Sequence, residues 1–289
     1  MKLLQFYLKQ DSKRTAQVGL LNGDSEVQTL NVSGNARNVI QLLADSELKP
    51  DHLTTLAKGG AVYPLSDVKL LSPLTDPEKI ICIGLNYHDH VIESNMQVPK
   101  VPVLFPKYNN CLAGHEDEIT IPREVQQCDY EVELAVVIGK TAKRVSKESA
   151  MDYVFGYTVL NDVSARDIQL NEPQWTRGKT IDGFAPTGPW IVTADEVDHP
   201  GKLNISLSLN GEVMQNSNTK ELIFDIPYLV SFLSNTITLQ PGDIISTGTP
   251  PGVGMGKKPQ VWLKAGDLVE ATVEGIGKLR NTFIADAEG

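Results

Sequence analysis

Three carboxylates make the first case for chemistry in this chain. In "CDYEVELAVVIG", residues 128–139, Glu131 and Glu133 stand two apart in a stretch from Tyr130 to Ile138 that is rich in Val, Leu and Ile and closes on Gly139. Nine such residues suit a strand better than a helix. Alternate side chains of a strand share a face, so the two glutamates point the same way, roughly 7 Å apart at about 3.3 Å per residue. Tyr130, Val132, Leu134 and Val136 take the other face. Two like charges among apolar neighbours repel each other and lose hydration. A third carboxylate, Asp162, ends the next strand-like run, "GYTVLND". Such a cluster of oxygens suits a hard divalent cation, Mg²⁺ or Mn²⁺, which keeps open positions for water or substrate oxygens. The plainer alternative is an edge strand whose glutamates face water.

Further residues fall at informative spacings. Arg166 and Gln169 follow Asp162 at four and seven residues, which places all three on one side if the chain turns helical after the strand. A planar guanidinium suits bidentate carboxylate binding, although Asp167 would serve Arg166 as a surface partner. Lys179, in "WTRGKTIDGF", would be solvated surface in isolation; fixed beside a metal, its ammonium could stabilise an oxyanion or enolate. His90 and Glu93, three apart in "YHDHVIE", share a face of a short helix. There the carboxylate can orient the imidazole and make it a better base, or the two can form a surface ion pair. Thr249 lies in "STGTPPGVG", where backbone amides and a hydroxyl could cradle a carboxylate. That loop is not a phosphate-binding one, because Pro251 holds the required first glycine position and Lys258 follows Lys257. His52, His88, His115 and His199 lack a comparable partner. Cys82, Cys111 and Cys128 form no C-x-x-C pair and read as reduced thiols.

The elements that must position these residues fall into two parts. Residues 1–72 read as a small N-terminal α+β domain, with strands near 3–9, 17–21 and 26–30, a tight turn at Asn22-Gly23, and helices near 36–44 and 51–57. "LSPLTDPEK", residues 71–79, reads as a linker. Residues 79–289 form the larger, β-rich part, with strand-like segments such as "KIICIGLN", "LNISLSLNG" and "DLVEATVEGIG". Its helical candidates are 87–94, 146–151 and 226–235. The absence of βαβ alternation predicts a mostly antiparallel or mixed sheet, an α+β, β-rich fold class. The chain has 289 residues, 41% hydrophobic and 21% charged, and a formal charge of −10 with no block of lysines or arginines. That excludes the basic footprint of a nucleic-acid or anionic-membrane binder. "MKLLQFYLKQDSK" has too short an apolar stretch for a signal peptide, and no run of about 18 apolar residues occurs, so the expectation is a cytoplasmic protein.

Six segments in order resemble the fumarylacetoacetate hydrolase family over residues 79–283: "IGLNYHDHVIE", "DYEVELAVVIGK", "GYTVLNDVSARDIQ", "RGKTIDGFAPTGPWIV", "NGEVMQ" and "PGDIISTGTPPGVG". The resemblance implies a catalytic domain built as a mixed β-sandwich roll, in a homodimer. It implies Mg²⁺ or Mn²⁺ on Glu131, Glu133 and Asp162, an oxo-acid substrate held by Arg166 and Gln169, and Lys179 in the active site; the Thr249 loop would add its amides and hydroxyl to the hold on the substrate carboxylate. In hydrolytic members a pair matching His90 and Glu93 activates water. The activity expected is therefore metal-dependent hydrolysis of a carbon–carbon bond in a small β-diketo acid of the acylpyruvate or fumarylacetoacetate type. Oxaloacetate decarboxylation, hydration of an oxo-pentenoate and ketone–enol isomerisation need the same stabilised enolate and stand as alternatives on the same scaffold. A non-catalytic metal-binding or ligand-sensing protein is the rival from another class, and the intact set of His90, Glu93, Lys179 and the three carboxylates argues against it. Tyr108-Asn109-Asn110 departs from the proline and small hydroxyl residues frequent in relatives, in a segment expected to border the variable part of the substrate.

Overall fold

In the computed structural model, residues 1–32, 38–44, 50–93 and 97–287 are described. The N-terminal residues alternate as strands: β1 (Lys2–Leu8), β2 (Gln17–Asn22) and β3 (Glu26–Thr29), with Gly23 at φ +58° in the turn between β2 and β3. Two short helices follow, α1 (Val39–Leu43) and α2 (Pro50–Ala57), and then β4 (Val62–Pro64) and β5 (Val68–Leu70). Asn38 caps α1 by accepting from Gln41 N at 2.8 Å, as a short polar side chain does at a helix start. Ala36 and Arg37, the start of the expected 36–44 helix, lie outside the described residues.

The main run comprises β6 (Ile80–Gly84), α3 (His88–Glu93), β7 (Val103–Lys107), β8 (Leu112–Ala113), β9 (Glu118–Ile121), β10 (Cys128–Asp129), β11 (Val132–Ile138) and β12 (Val154–Asn161). After these come β13 (Ser164–Ala165), α4 (Arg166–Gln169), α5 (Thr176–Lys179) and β14 (Ala185–Thr193). The last third adds β15 (Asn204–Leu209), β16 (Glu212–Asn218), α6 (Ile226–Ser234), β17 (Ile244–Ser246), β18 (Leu268–Val273) and β19 (Gly277–Ala285). No helix forms over 146–151: turns lead into a single 3₁₀ turn at Ala150–Tyr153. There Ser149 Oγ donates back to Ser146 O at 3.4 Å, a local bond that competes with the helical ladder.

One mixed sheet runs β4-β3-β2-β1-β14-β12-β11-β17-β6-β7, so the segment before residue 72 is hydrogen-bonded into it: Lys2 and Leu3 of β1 pair with Val192 and Ile191 of β14. A second sheet, β16-β15-β18-β19-β9, packs over its centre. Between the sheets lie Leu134, Val136 and Val159 from one side and Ile205, Leu207, Val273 and Phe283 from the other. The opposite face of the large sheet buries Ala135, Val137, Leu160 and Ile244 against Leu3, Leu20 and the helix residues Val39, Leu42 and Leu53. β11 is therefore buried on both faces. Among the described residues no helix is long and apolar enough to cross a membrane.

Candidate active and metal site

Glu133 is 1% exposed, Glu131 5% and Asp162 0%, which removes the wet edge strand from consideration: β11 sits between β12 and β17. One carboxylate oxygen from each of the three residues lies within 4.8 Å of the others. Their convergence has a backbone cause. The strand starts at Val132 rather than Tyr130, and at the break Asp162 N donates to Glu131 O at 2.8 Å, pinning the ends of β11 and β12 together. β17 pairs with β11 only from Ala135 to Val137 and then diverges. Where it leaves, Ser246 Oγ and Gly248 N donate to Glu133 Oε2 at 2.5 and 2.9 Å.

Among the described residues three buried cations face these carboxylates. Lys179 Nζ donates to Glu131 Oε2 at 2.7 Å and Asp162 Oδ2 at 2.8 Å, with the Phe105 ring 4.8 Å from it. α5 can lie this close because Gly178 has no side chain; a Cβ there would stand 2.6 Å from Gln169 N. Arg166 does not pair with Asp167. Its Nε donates to Asp129 Oδ2 at 2.9 Å, its Nη2 to Glu131 Oε1 at 2.5 Å and its Nη1 to Gln169 Oε1 at 2.9 Å. Lys107 Nζ lies 2.8 Å from Asp162 Oδ1 and donates to the carbonyls of Val163, Lys179 and Phe184.

Counting Asp129, Glu131, Glu133 and Asp162 against Lys107, Arg166 and Lys179 leaves four carboxylates for three cations in a buried cluster. Burial alone would raise the Glu131 carboxyl, but Arg166 and Lys179 outweigh it and hold it well below the usual range. Among the described residues Glu133 has no such ion pair: burial, then Asp162 and Glu131, push it up to about 8 against the Ser246 hydrogen bond. A cation placed among the three oxygens supplies the missing charge, and an all-carboxylate donor set fits a hard divalent metal.

On the facing wall, His90 Nδ1 lies 3.2 Å from Glu93 Oε2 on α3. α3 is held over the site by Asn86, whose amide bridges Phe224 and Thr247 (2.7–3.1 Å), and by Asp89, which accepts from Ser217 Oγ at 2.6 Å. His90, Glu131, Glu133, Arg166, Gln169, Lys179 and Thr249 all line one cavity of about 110 Å³, whose apolar side is lined by Phe105, Leu170 and Trp175. Asp162 lies directly behind, bonded to Lys179. The Thr249 hydroxyl is already engaged, donating to Val132 O at 3.0 Å and accepting from Gln215 Nε2 at 2.8 Å. The amides of the following loop do cradle carboxylates, but these belong to the protein: Gly252 N donates to Glu93, and Gly254 N and Met255 N to Asp129.

Lys107, Asp129, Ser246 and Gln215 were not singled out by sequence reasoning. Asp129 was the most legible of them, standing beside the glutamates in "CDYEVE". The others bond groups far along the chain, a relation that spacing does not carry.

Residues 79–284 match the family model for the C-terminal domain of fumarylacetoacetate hydrolase. A mitochondrial oxaloacetate tautomerase of Xenopus laevis is 49% identical over 221 residues, 76% of this chain and 69% of its own. A mitochondrial oxaloacetate tautomerase of Bos taurus is 44% identical over 269 residues, covering 87% of this chain and 86% of its own. The expectation of a cytoplasmic protein gains no support from these two. Among solved structures, a fumarylacetoacetate hydrolase from the psychrophile Exiguobacterium antarcticum superposes with a TM-score of 0.85 at 36% identity, covering 99% of this chain and 100% of that one. A maleylpyruvate hydrolase from a Sphingobium species, in complex with manganese(II) and pyruvate, gives 0.81 at 31% identity and covers 99% of each chain.

Proposed function

Because the chain belongs to the fumarylacetoacetate hydrolase family, we propose that it interconverts the keto and enol forms of a small 2-oxo dicarboxylic acid of the oxaloacetate type. The cavity carries this reading. At about 110 Å³ it is well below the roughly 300–1,000 Å³ of pockets that take drug-sized ligands, which favours a four-carbon acid over a long acylpyruvate. The two relatives at 44% and 49% identity, both named oxaloacetate tautomerases, support the same choice.

A divalent ion, Mg²⁺ or Mn²⁺, held by Glu131, Glu133 and Asp162 would supply Lewis acidity toward the 2-oxo group. The chain's own groups move the proton. With a carboxylate at Nδ1, His90 carries its proton there and its Nε2 is the basic nitrogen, set to take a proton from the carbon next to the oxo group and return it to oxygen. Lys179 offers a fixed positive charge to the enolate oxygen. Gln169, its carbonyl turned to Arg166, offers its amide to a substrate carboxylate.

The test follows the decay of enol absorbance of oxaloacetate with and without Mg²⁺ or Mn²⁺. Metal-dependent acceleration that is abolished by Glu133→Gln is expected; no acceleration would overturn the reading. Hydrolysis of a carbon–carbon bond in an acylpyruvate is the second reading, favoured by the hydrolases at 31–36% identity. It would take over if acylpyruvates were cleaved while oxaloacetate enol decay stayed at its uncatalysed rate.

A further inference from the structure

The loop Pro251–Gly256 touches two carboxylates, and its glycines mark the close approaches. Gly252 N donates to both carboxylate oxygens of Glu93, at 2.9 and 3.1 Å, and a Cβ on Gly256 would stand 2.8 Å from Glu93 Cδ. The amides between them turn to Asp129. Gly254 N reaches its Oδ1 at 2.7 Å and Met255 N its Oδ2 at 3.1 Å, and a Cβ on Gly254 would meet that Oδ1 at 2.8 Å. Asp129 is fully buried and also accepts from Tyr130 N and Arg166 Nε, both at 2.9 Å. A path of hydrogen bonds therefore runs from Glu131 through Arg166 and Asp129, along the loop, to Glu93 and His90.

We propose that Asp129 is a positioning residue for the His90–Glu93 pair: by fixing the amides of Gly254 and Met255 it sets where Gly252 N meets Glu93. The inference rests on the reading of His90 as the base. A carboxylate accepts only, so it can take three amides and a guanidinium at once. An amide in its place would turn an N–H₂ toward two of those donors, releasing one side of the loop. Glu93 would then keep its charge but lose its fixed orientation, and the imidazole would lose its own.

The experiment measures kcat and KM for oxaloacetate enol–keto conversion at saturating Mn²⁺ in the full chain and in Asp129→Asn, Glu93→Gln and the double variant, with the affinity for Mn²⁺ alone measured by calorimetry. Asp129→Asn is expected to lower kcat about tenfold, a part of the 10²–10⁴ that a positioned base supplies, with KM and Mn²⁺ affinity little changed. The double variant should be no slower than Glu93→Gln, since residues acting through one another are not additive. Multiplying effects would overturn the proposal, as would a kcat loss that tracks weakened Mn²⁺ binding, which would place Asp129's action on Glu131 through Arg166. Unchanged kcat in Glu93→Gln would remove the orienting role of Glu93, and this proposal with it; unchanged kcat in His90→Ala would remove the base reading itself. If Asp129→Asn does not fold, Lys257→Met decides. Lys257 Nζ ties the loop's far end to Met214 O at 3.0 Å, and its loss should give a smaller drop that vanishes in the Glu93→Gln background; a drop that persists there overturns the proposal.

Discussion

With its carboxyl pushed up to about 8 by burial and by Asp162 and Glu131, Glu133 keeps a proton at neutral pH until a cation takes its place. Metal binding at pH 7 should then release a proton, and apparent affinity should rise with pH and level off above about 8. Calorimetry of Mn²⁺ binding in buffers of different ionisation enthalpy checks both. The metal-free protein should show the opposite trend in stability. The folded state holds this proton where the unfolded one has released it, so the stability Glu133 contributes is complete below its ordinary pKa and is lost as pH rises through the folded value. Glu133→Gln should leave the fold intact, flatten that trend and weaken metal binding by more than the about 10–100-fold typical of an outer-shell partner. Arg166→Lys should lower stability by on the order of 2 kcal/mol and weaken metal binding, because the planar fork holds Asp129 and Glu131 together; unfolding curves with unchanged midpoints would contradict this. The three carboxylates were legible because strand periodicity puts 131 and 133 on one face. Lys107 was not, since it reaches Asp162 from 55 positions away and its other partners are backbone carbonyls at 163, 179 and 184. Nor was the occupation of the Arg166 fork by the protein's own carboxylates.

At the level of elements, the site exists because two neighbouring strands part. Beyond Ala135 no strand among the described residues covers this edge of β11, and one backbone amide and three side chains take over: Thr247 N and Oγ1 donate to Leu134 O, Thr249 Oγ1 to Val132 O, and Gln215 Oε1 accepts from Val132 N at 2.9 Å. The residue between the two glutamates thus has both backbone groups held by side chains from elsewhere. Gln215→Met, nearly isosteric, should strand the Val132 N–H and cost about 1–3 kcal/mol in urea unfolding, with reduced metal affinity because Glu131 and Glu133 flank that residue. A loss below a few tenths of a kcal/mol would mean that water replaces the amide. Several elements could be read from pattern: β11 and β12 from their apolar runs, the β2–β3 turn from Asn-Gly, and α6 from Tyr228, Leu229, Phe232 and Leu233 at helical spacing. The fork could not, because a strand that ends early looks in sequence like one that continues into a glycine-rich loop. The expected helix at 146–151 failed for a related reason, as serine side chains bonding their own backbone leave the periodicity unchanged.

For the whole molecule, a β-rich α+β fold was legible from the density of strand-like segments, but the union of the N-terminal segment with the rest was not. The pairing of β1 with β14 and the core shared by Leu3, Leu20 and Leu53 with Ile80, Leu160 and Ile244 join segments that local pattern treats as separate. Removing residues 1–72 should therefore uncover the β14 edge and half of that core. We expect the remaining chain to aggregate or to lose its cooperative thermal transition, whereas the full chain melts in one step; a soluble fragment with the full-length melting temperature would show the first 72 residues to be dispensable. The parallel pairing of β17 with β6, Ile80 to Ile244 and Cys82 to Ser246, has a consequence in time. A growing chain that has already made β6, β11 and β12 must wait for about two thirds of the remaining residues before the strand between β6 and β11 exists. At synthesis rates of roughly 5–20 residues per second the wait is on the order of ten seconds. Through that interval Glu133 lacks its donors Ser246 and Gly248, and two apolar strand edges stand open, a slow and long-range closure that leaves the nascent protein dependent on whatever shields those edges before the catalytic half is complete.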